Sequence, residues 1–146
     1  MPSESGLTPT TEFLNVDLDI RSRRSVAPLL KVWPSAQTPD RKPGHAPRWV
    51  HISGLSYKKS ADRLVRELIA LVDLLPPKAR RCWTAASSRV FDIGIQAGLA
   101  PRNFEDVRLS PETVRAIARV QGTVVVTVYA PYREPSLKAR GRPTKS

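Results

Sequence analysis

The sequence contains a single cysteine, Cys82, so the chain cannot form an internal disulfide or a zinc cluster built on cysteines. A chain with one cysteine suits a reducing compartment, and we expect a cytoplasmic protein. No apolar stretch resembles a signal peptide, and none is long enough to span a bilayer. We therefore expect no association with a membrane.

The sequence also lacks the short motifs of common enzyme classes. It has no G-x-S-x-G elbow, no P-loop and no GxGxxG fingerprint. Its only two histidines, His45 and His51, have no other candidate ligand nearby in the sequence, so they do not indicate zinc. These absences favour a protein without a cofactor and without catalytic activity.

Acidic residues are scarce relative to basic ones. The chain contains 24 Lys and Arg residues and 13 Asp and Glu residues, which gives a net charge of +11. Residues 21–49 hold seven basic residues and one acidic residue, and residues 132–146 hold five and one. Such an excess favours acidic partners, of which nucleic acid is the commonest, although it also occurs in proteins that are merely soluble and basic.

Residues 60–75, SADRLVRELIALVDLL, carry the clearest periodic pattern in the chain. The apolar positions repeat at i, i+3, i+4 and i+7, which predicts an amphipathic helix. Ser60 can cap its first turn, Asp62 complements the positive end, and Pro76 prevents its continuation. We expect this helix to lie across a sheet.

Alternating apolar and polar residues predict strands at 14–20, 48–53 and 90–97, and a run rich in β-branched residues predicts another at 123–130. A short additional strand is predicted at 107–109. Shorter helices are predicted near 26–33 and 79–86, and a third begins at Ser110-Pro111. Because each alternating strand has one polar face, we predict an α/β protein of the α+β type, a two-layer sandwich. Its four- or five-stranded mixed or antiparallel sheet carries the helices on one face.

The predicted organisation has three parts. Residues 1–12 form a flexible N-terminal lead, residues 13–130 form a single α/β domain, and residues 131–146 form a disordered basic tail. Residues 34–47 contain four prolines and no periodicity, which predicts a long surface loop. Loops of this length often carry function.

Four strings of the chain resemble a bacterial family of small α/β proteins described only as a domain of unknown function. They are LNVDLDI, WPSAQTPDRKPGHAPRWV, LVRELIALVDLLPPKA and LSPETVRAIARVQGTVVVTVY, which together span residues 13–129. The resemblance implies the fold, and for some members an immunity-like role. It carries no catalytic residue with it, because the shared pattern is one of packing and capping.

Polar and aromatic residues alternate on the predicted open face of the sheet. Polar groups that set orientation, interleaved with aromatic anchors, are typical of protein interfaces. We predict a non-enzymatic binding module, immunity-like or regulatory, that uses this face and the 34–47 loop. Its candidate partner-binding residues are Asn15, Asp17, Asp19, Trp49, His51, Asp92 and Tyr129. As an alternative, the three aspartates could converge on a divalent metal, but acids on a solvated strand face are ordinary.

A second hypothesis is DNA binding. Arg140, Gly141, Arg142 and Pro143 resemble the core of an AT-hook, an extended segment that reads the minor groove of A·T-rich DNA. The alternative explanation is a basic tail that only keeps the protein soluble. In the DNA-binding hypothesis, phosphates would be bound by Arg21, Arg23, Arg24, Arg41, Lys42 and Arg48.

Overall fold

The structure is a computed structural model, and it describes residues 11–54, 58–98 and 106–131. Four strands and four helices follow one another in the order βαβααβαβ. Their bounds are β1 Glu12–Arg21, α1 Ala27–Val32, β2 Trp49–Ile52, α2 Ala61–Asp73, α3 Pro77–Ala85, β3 Ser88–Gln96, α4 Pro111–Arg119 and β4 Thr123–Tyr129. The AT-hook-like string, most of the predicted lead and nearly all of the predicted tail lie outside the described residues.

The four strands form one mixed sheet in the order β2-β1-β3-β4. β1 pairs antiparallel with both β2 and β3, whereas β4 runs parallel to β3. Buried residues of all four helices share one hydrophobic core with the inward residues of β1, β2 and β3. The predicted α+β fold, a two-layer sandwich with its helices on one face, is therefore confirmed, with four strands.

α2 begins where predicted and has the predicted orientation. Ser60 is its N-cap and accepts a hydrogen bond from the backbone N–H of Arg63 at 3.2 Å. The helix ends at Asp73, two residues before the predicted end and four residues before Pro77 opens α3. Six of its thirteen residues are buried against the sheet, and Ile69 joins the predicted stripe. Because the apolar stripe is continuous, α2 packs into the hydrophobic core along its whole length.

The first strand departs from the predicted alternation near its beginning. The pairing of β1 with β3 shifts register between Phe13 and Asn15, so Leu14 is the additional residue of a β-bulge. As a result Phe13 packs against the core, although the alternation predicts Leu14 there. Glu12, predicted to belong to the flexible lead, is the first residue of this strand.

The indole rings of Trp33 and Trp83 meet edge to face at the end of the core, with their centroids 6.4 Å apart. Trp83 also donates its buried indole N–H to the carbonyl oxygen of Val120 at 3.1 Å. Nearby, Arg89 donates to the carbonyl oxygens of Trp83 at 2.8 Å and Ala86 at 2.9 Å, which satisfies the end of α3. The helical spacing of Ala79, Cys82, Trp83 and Ala86 predicts that Cys82 is buried, but its side chain is only half-buried.

α4 ends in a Schellman motif. In this motif the residue after the C-cap adopts the left-handed conformation, and the N–H groups of this residue and the next donate to carbonyl oxygens of the last helical turn. The N–H of Gln121 donates to Ala118 and that of Gly122 to Ile117, at 3.0 and 2.9 Å. Gln121 takes the left-handed position with φ 59°, a role in which glycine is usual. Gly122 is needed for a different reason, because a Cβ there would lie 2.5 Å from the Phe91 ring.

Two sequence predictions on this side of the molecule are wrong. Residues 107–109 form no strand; Val107 and Leu109 instead pack against the core from an irregular segment. Helical spacing after Ser110 also predicts Val114 and Ile117 on the buried face of α4. Ile117 is buried, but Thr113 is buried in place of Val114, which is exposed. Thr113 can be buried because its hydroxyl hydrogen-bonds with Ser110 at 3.0 Å. None of the described helices combines the length and apolar character needed to cross a membrane.

Candidate functional site

The sheet face opposite the helices, here called the open sheet face, gathers the predicted partner-binding residues. Alternation along each strand and the observed pairings place on this one face the side chains of Asn15, Asp17, Asp19, Trp49, His51, Asp92 and Tyr129. No described helix packs on it. Because β1 and β3 are the two central strands, their polar residues lie in the middle of the face.

Asp19 is the hub of one half of the open sheet face. Its Oδ1 accepts a hydrogen bond from the indole N–H of Trp49 at 2.7 Å and lies 3.0 Å from Nδ1 of His51. Both partners lie on β2, across the antiparallel pair, so strand register alone brings the three together. One carboxylate thus fixes the orientation of two rings.

Arg21 stacks its guanidinium on the same tryptophan. The carbon atom at the centre of the guanidinium lies 3.9 Å from the centroid of the Trp49 ring, a cation–π contact. Because Asp19 holds one edge of the indole and Arg21 covers the ring, Trp49 has little rotational freedom left. The position of the aromatic side chain is therefore fixed by contacts within the chain itself.

Asp17 and Asp92 occupy the centre of the face and lie directly opposite each other on β1 and β3. Thr127 of β4 donates its hydroxyl to both oxygens of Asp92, at 2.7 and 2.9 Å, and Asn15 donates to Asp17 at 3.1 Å. Burial is the largest cause of the raised pKa of Asp17; His51 and a hydrogen bond from the Gly54 N–H partly offset it, and the carboxylates of Asp19 and Asp92 add to the rise. The centre of the face is therefore acidic in a protein of net charge +11.

Gly94 shapes the remaining part of the face. A Cβ at this position would lie 2.5 Å from Oδ1 of Asn15 and 3.6 Å from the Tyr129 ring. The missing side chain leaves room for Asn15 and brings Tyr129 close to it over β3. Tyr129 keeps 49% of its surface exposed, so an aromatic group is available at this end of the face as well.

Ser53 is a residue that sequence reasoning missed. The Nε2 atom of His51 lies 3.1 Å from its hydroxyl, which gives the order Asp19, His51, Ser53 of a serine hydrolase triad. A hydrolase also needs N–H donors for the oxyanion, and of the described residues the one that follows Ser53, Gly54, already donates its N–H to Asp17. We therefore assign Ser53 to the polar network of the face. Its alternation with His51 is the signal that could have identified it.

Thr127 was also missed, because only the parallel register between β3 and β4 places it beside Asp92. The 34–47 loop begins next to this site: Gln37 exchanges two backbone hydrogen bonds with His51, at 2.8 and 2.9 Å. Over residues 11–54, 58–98 and 106–131, no group of three or more His, Cys, Asp or Glu side chains is arranged to hold a metal ion. Asp17, Asp19 and Asp92 lie on one face but form no such group.

The predicted phosphate-binding residues gather at one end of the sheet, where β1 ends and β2 begins. The N–H of Ser22 donates to the carbonyl oxygen of Arg48 at 2.9 Å, which brings the two segments together. Lys42 and Arg48 line one shallow cavity of about 330 Å³ with His45 and Asp40. We call the basic end the exposed residues Arg23, Arg24, Arg41, Lys42 and Arg48. Arg21, predicted to join them, lies on the open sheet face against Trp49.

Comparison of the chain with protein-family models, with curated proteins and with solved structures finds no match. The resemblance to a bacterial family of small α/β proteins therefore stays a prediction.

Proposed function

We propose that the protein is a binding module that recognises a protein partner through the open sheet face. The observation that supports this most directly is the fixed position of Trp49, held by the Asp19 carboxylate at 2.7 Å and covered by Arg21. Tryptophan and tyrosine are the residue types that most often carry binding energy at interfaces, and anchors fixed in advance lose little entropy on binding.

The chemistry of the face indicates what the partner presents. Asp17 and Asp92 oppose each other at the centre, and the raised pKa of Asp17 reflects burial and unfavourable negative charge. A lysine or arginine of a partner would relieve that repulsion, and such complementarity chiefly sets specificity and the rate of association. We infer that the contacting segment of the partner is basic and that it inserts between the two aromatic ends of the face.

The test is affinity purification from the organism that encodes the protein. It compares the wild-type chain with a variant carrying Asp17→Asn and Asp92→Asn. Asparagine keeps the shape of each side chain but removes both charges, so the variant folds and loses the partner. A matched control removes two exposed charges elsewhere through Asp106→Asn and Glu112→Gln, and it keeps the partner.

Trp49→Ala provides a second, independent arm, since it removes the aromatic anchor and leaves the central carboxylates in place. We expect it to lower retention of the same partner at least tenfold, because loss of an aromatic anchor that carries binding energy costs about 2 kcal/mol or more. If no stoichiometric partner is recovered, or if all variants retain it equally, the open sheet face is not the binding surface.

A second candidate function is DNA binding, and the clustering of the basic end favours it. Its five cations come from three separate segments, and the backbone hydrogen bond between Ser22 and Arg48 holds two of these segments together. No ion pair joins any of the five to an acidic side chain within the described residues. Arg140 to Pro143 would supply the minor-groove contact in this proposal.

The DNA proposal is tested by titrating A·T-rich and G·C-rich duplexes at two salt concentrations. If the cations neutralise about six phosphates, log affinity falls against log salt with a slope of about −5. Deletion of residues 136–146 should remove the A·T preference and leave weaker binding that still depends on salt. Absence of binding at low salt would end this proposal and leave the protein partner.

Two further parts of the proposal concern context. We propose a cytoplasmic location, because a chain with a single cysteine suits a reducing compartment. We also propose, on the resemblance of residues 13–129, that it belongs to the bacterial family of small α/β proteins with immunity-like or regulatory roles. An immunity-like protein would bind its partner in a fixed stoichiometry, which the affinity purification measures.

A further inference from the structure

The two edges of the sheet differ. The outer edge of β2 is occupied, because Gln37 exchanges two backbone hydrogen bonds with His51 there. At the opposite edge β4 is the last of the described strands, and among the residues that the structure describes it pairs only with β3 in the sheet. An exposed edge strand is a template for another strand unless charges, proline or a bulge protect it.

β4 has none of these protections. Its sequence, TVVVTVY, contains no charged residue and no proline, and its register with β3 is regular over all seven residues. Its side chains remain exposed on the helix side of the sheet, where valines 124, 126 and 128 keep 41, 54 and 60% of their surface. In a chain of net charge +11, this strand is a neutral and apolar edge.

The backbone of β4 also has a defined direction. Ala97 donates its N–H to the carbonyl oxygen of Tyr129, so the polar groups of Tyr129 point toward β3. Backbone groups of successive residues alternate between the two sides of a strand. Those of Val124, Val126 and Val128 therefore point outward, away from the sheet.

The outward-pointing backbone groups of these three valines are spaced symmetrically on either side of Val126. We propose that β4 pairs antiparallel with β4 of a second copy around a two-fold axis that passes midway between the two Val126 residues, which makes a dimer with one continuous eight-stranded sheet. Val126 then lies opposite its own copy, and Val124 lies opposite Val128. All outward groups of these three residues find partners, in six backbone hydrogen bonds between the chains.

The side chains fit the same axis. The valines at 124, 126 and 128 meet those of the second copy on the helix side, which forms a cross-strand apolar cluster. Next to it lies a groove of about 540 Å³ lined by Ile93, Ile95, Val107 and Leu109 together with Val124 and Val126. Because β4 carries no charge, pairing across the axis brings no like charges together, unlike contact through the basic end.

The decisive test uses single cysteines in a Cys82→Ser background. Residues opposite each other in a hydrogen-bonded antiparallel pair have Cα atoms about 5.5 Å apart, within the range of a disulfide. Val126→Cys should therefore form a covalent dimer on mild oxidation. Val124→Cys should not, because its copy lies four residues along the strand, about 14 Å away. Mixing Val124→Cys with Val128→Cys should restore the cross-link.

Analytical ultracentrifugation supplies the independent arm. The wild-type chain should sediment as a dimer at about 100 µM, the range expected for a small interface. Val126→Lys places two like charges across the axis and should give a monomer with an unchanged melting temperature. Val114→Lys, the same change at an exposed site on α4, should leave the dimer intact.

Three results would overturn the proposal. They are a wild-type monomer at that concentration, equal cross-linking of Val124→Cys and Val126→Cys when each is oxidised alone, and a dimer that survives Val126→Lys. The last would place any dimer contact elsewhere on the molecule.

Discussion

Asp17 and Asp92 lie directly opposite each other on neighbouring antiparallel strands, at the centre of the open sheet face. Like charges at directly opposed positions destabilise a sheet. The protein keeps both, and it supplies each with a hydroxyl or amide donor from Thr127 or Asn15. A site that retains an unfavourable charge pair in this way is a candidate for binding rather than for stability.

Asp17→Asn should stabilise the fold by about 0.5 kcal/mol at pH 7, because it removes one of two opposed charges. The pKa of Asp17 is raised in the folded state above 3.8, so the wild-type chain loses stability as the pH rises from 3.8 through the folded-state pKa. The asparagine variant does not lose this stability, so its free energy of unfolding should exceed that of the wild type by a growing amount as the pH rises over the same interval. Urea unfolding at a series of pH values measures the difference; an advantage that shrinks with rising pH would contradict the assignment.

Asp62 joins the beginnings of α2 and α4. Its Oδ1 accepts the backbone N–H of Ser110 at 2.7 Å, and hydrogen bonding from Thr113 lowers the pKa of the carboxyl. Asp62→Ala should lower the free energy of unfolding by about 2 kcal/mol at pH 7, since it removes a hydrogen bond to a charged acceptor. Because this pKa is depressed, the contribution is complete above 3.8 and is lost as the pH falls through the folded-state value. The two chains should therefore converge in stability in strong acid.

Gln121 and Gly122 should respond in opposite ways to substitution. Gln121→Gly relieves the left-handed conformation at φ 59° and should stabilise the fold by about 0.5 to 1 kcal/mol. Gly122→Ala places a Cβ 2.5 Å from the Phe91 ring and should destabilise it by about 2 kcal/mol. Thermal unfolding of the two variants tests the assignment, and equal effects would show that the roles of the two residues are not distinct.

A comparison of Trp83 with Trp33 can measure how much one buried hydrogen bond contributes to the free energy of unfolding. Both are almost fully buried, but Trp83 donates to the carbonyl oxygen of Val120. Replacing either by phenylalanine removes the same atoms, so Trp83→Phe should cost about 1 kcal/mol more than Trp33→Phe. Denaturant titration with circular dichroism, which does not depend on tryptophan emission, provides the comparison.

Local patterns were enough to predict the helix from Ser60, the order of elements and the face on which the polar residues of β1 lie. These features depend on periodicity, and periodicity survives folding unless a bulge interrupts it. At Leu14 such a bulge shifts the phase by one residue, so Phe13 replaces it in the core. No residue in that stretch, such as a glycine, would have predicted a bulge.

Pairings between distant segments could not be predicted in the same way. Asp19, Trp49 and His51 were each expected on the open face, but their common hydrogen bonds depend on the register of β1 with β2. The parallel pairing of β4 is another example, because the residue pattern of a strand does not indicate whether it runs parallel or antiparallel to its neighbour. The burial of Thr113 in place of Val114 required a hydroxyl partner that only the folded chain supplies.

The place of β4 has a consequence for premature termination of translation. A chain released before Thr123 contains β1, β2 and β3 but not β4, so β3 becomes the outer strand of a three-stranded sheet. Its core side then exposes Phe91 and Ile93 near an open row of backbone groups. Such a truncated product should aggregate more readily than the full chain.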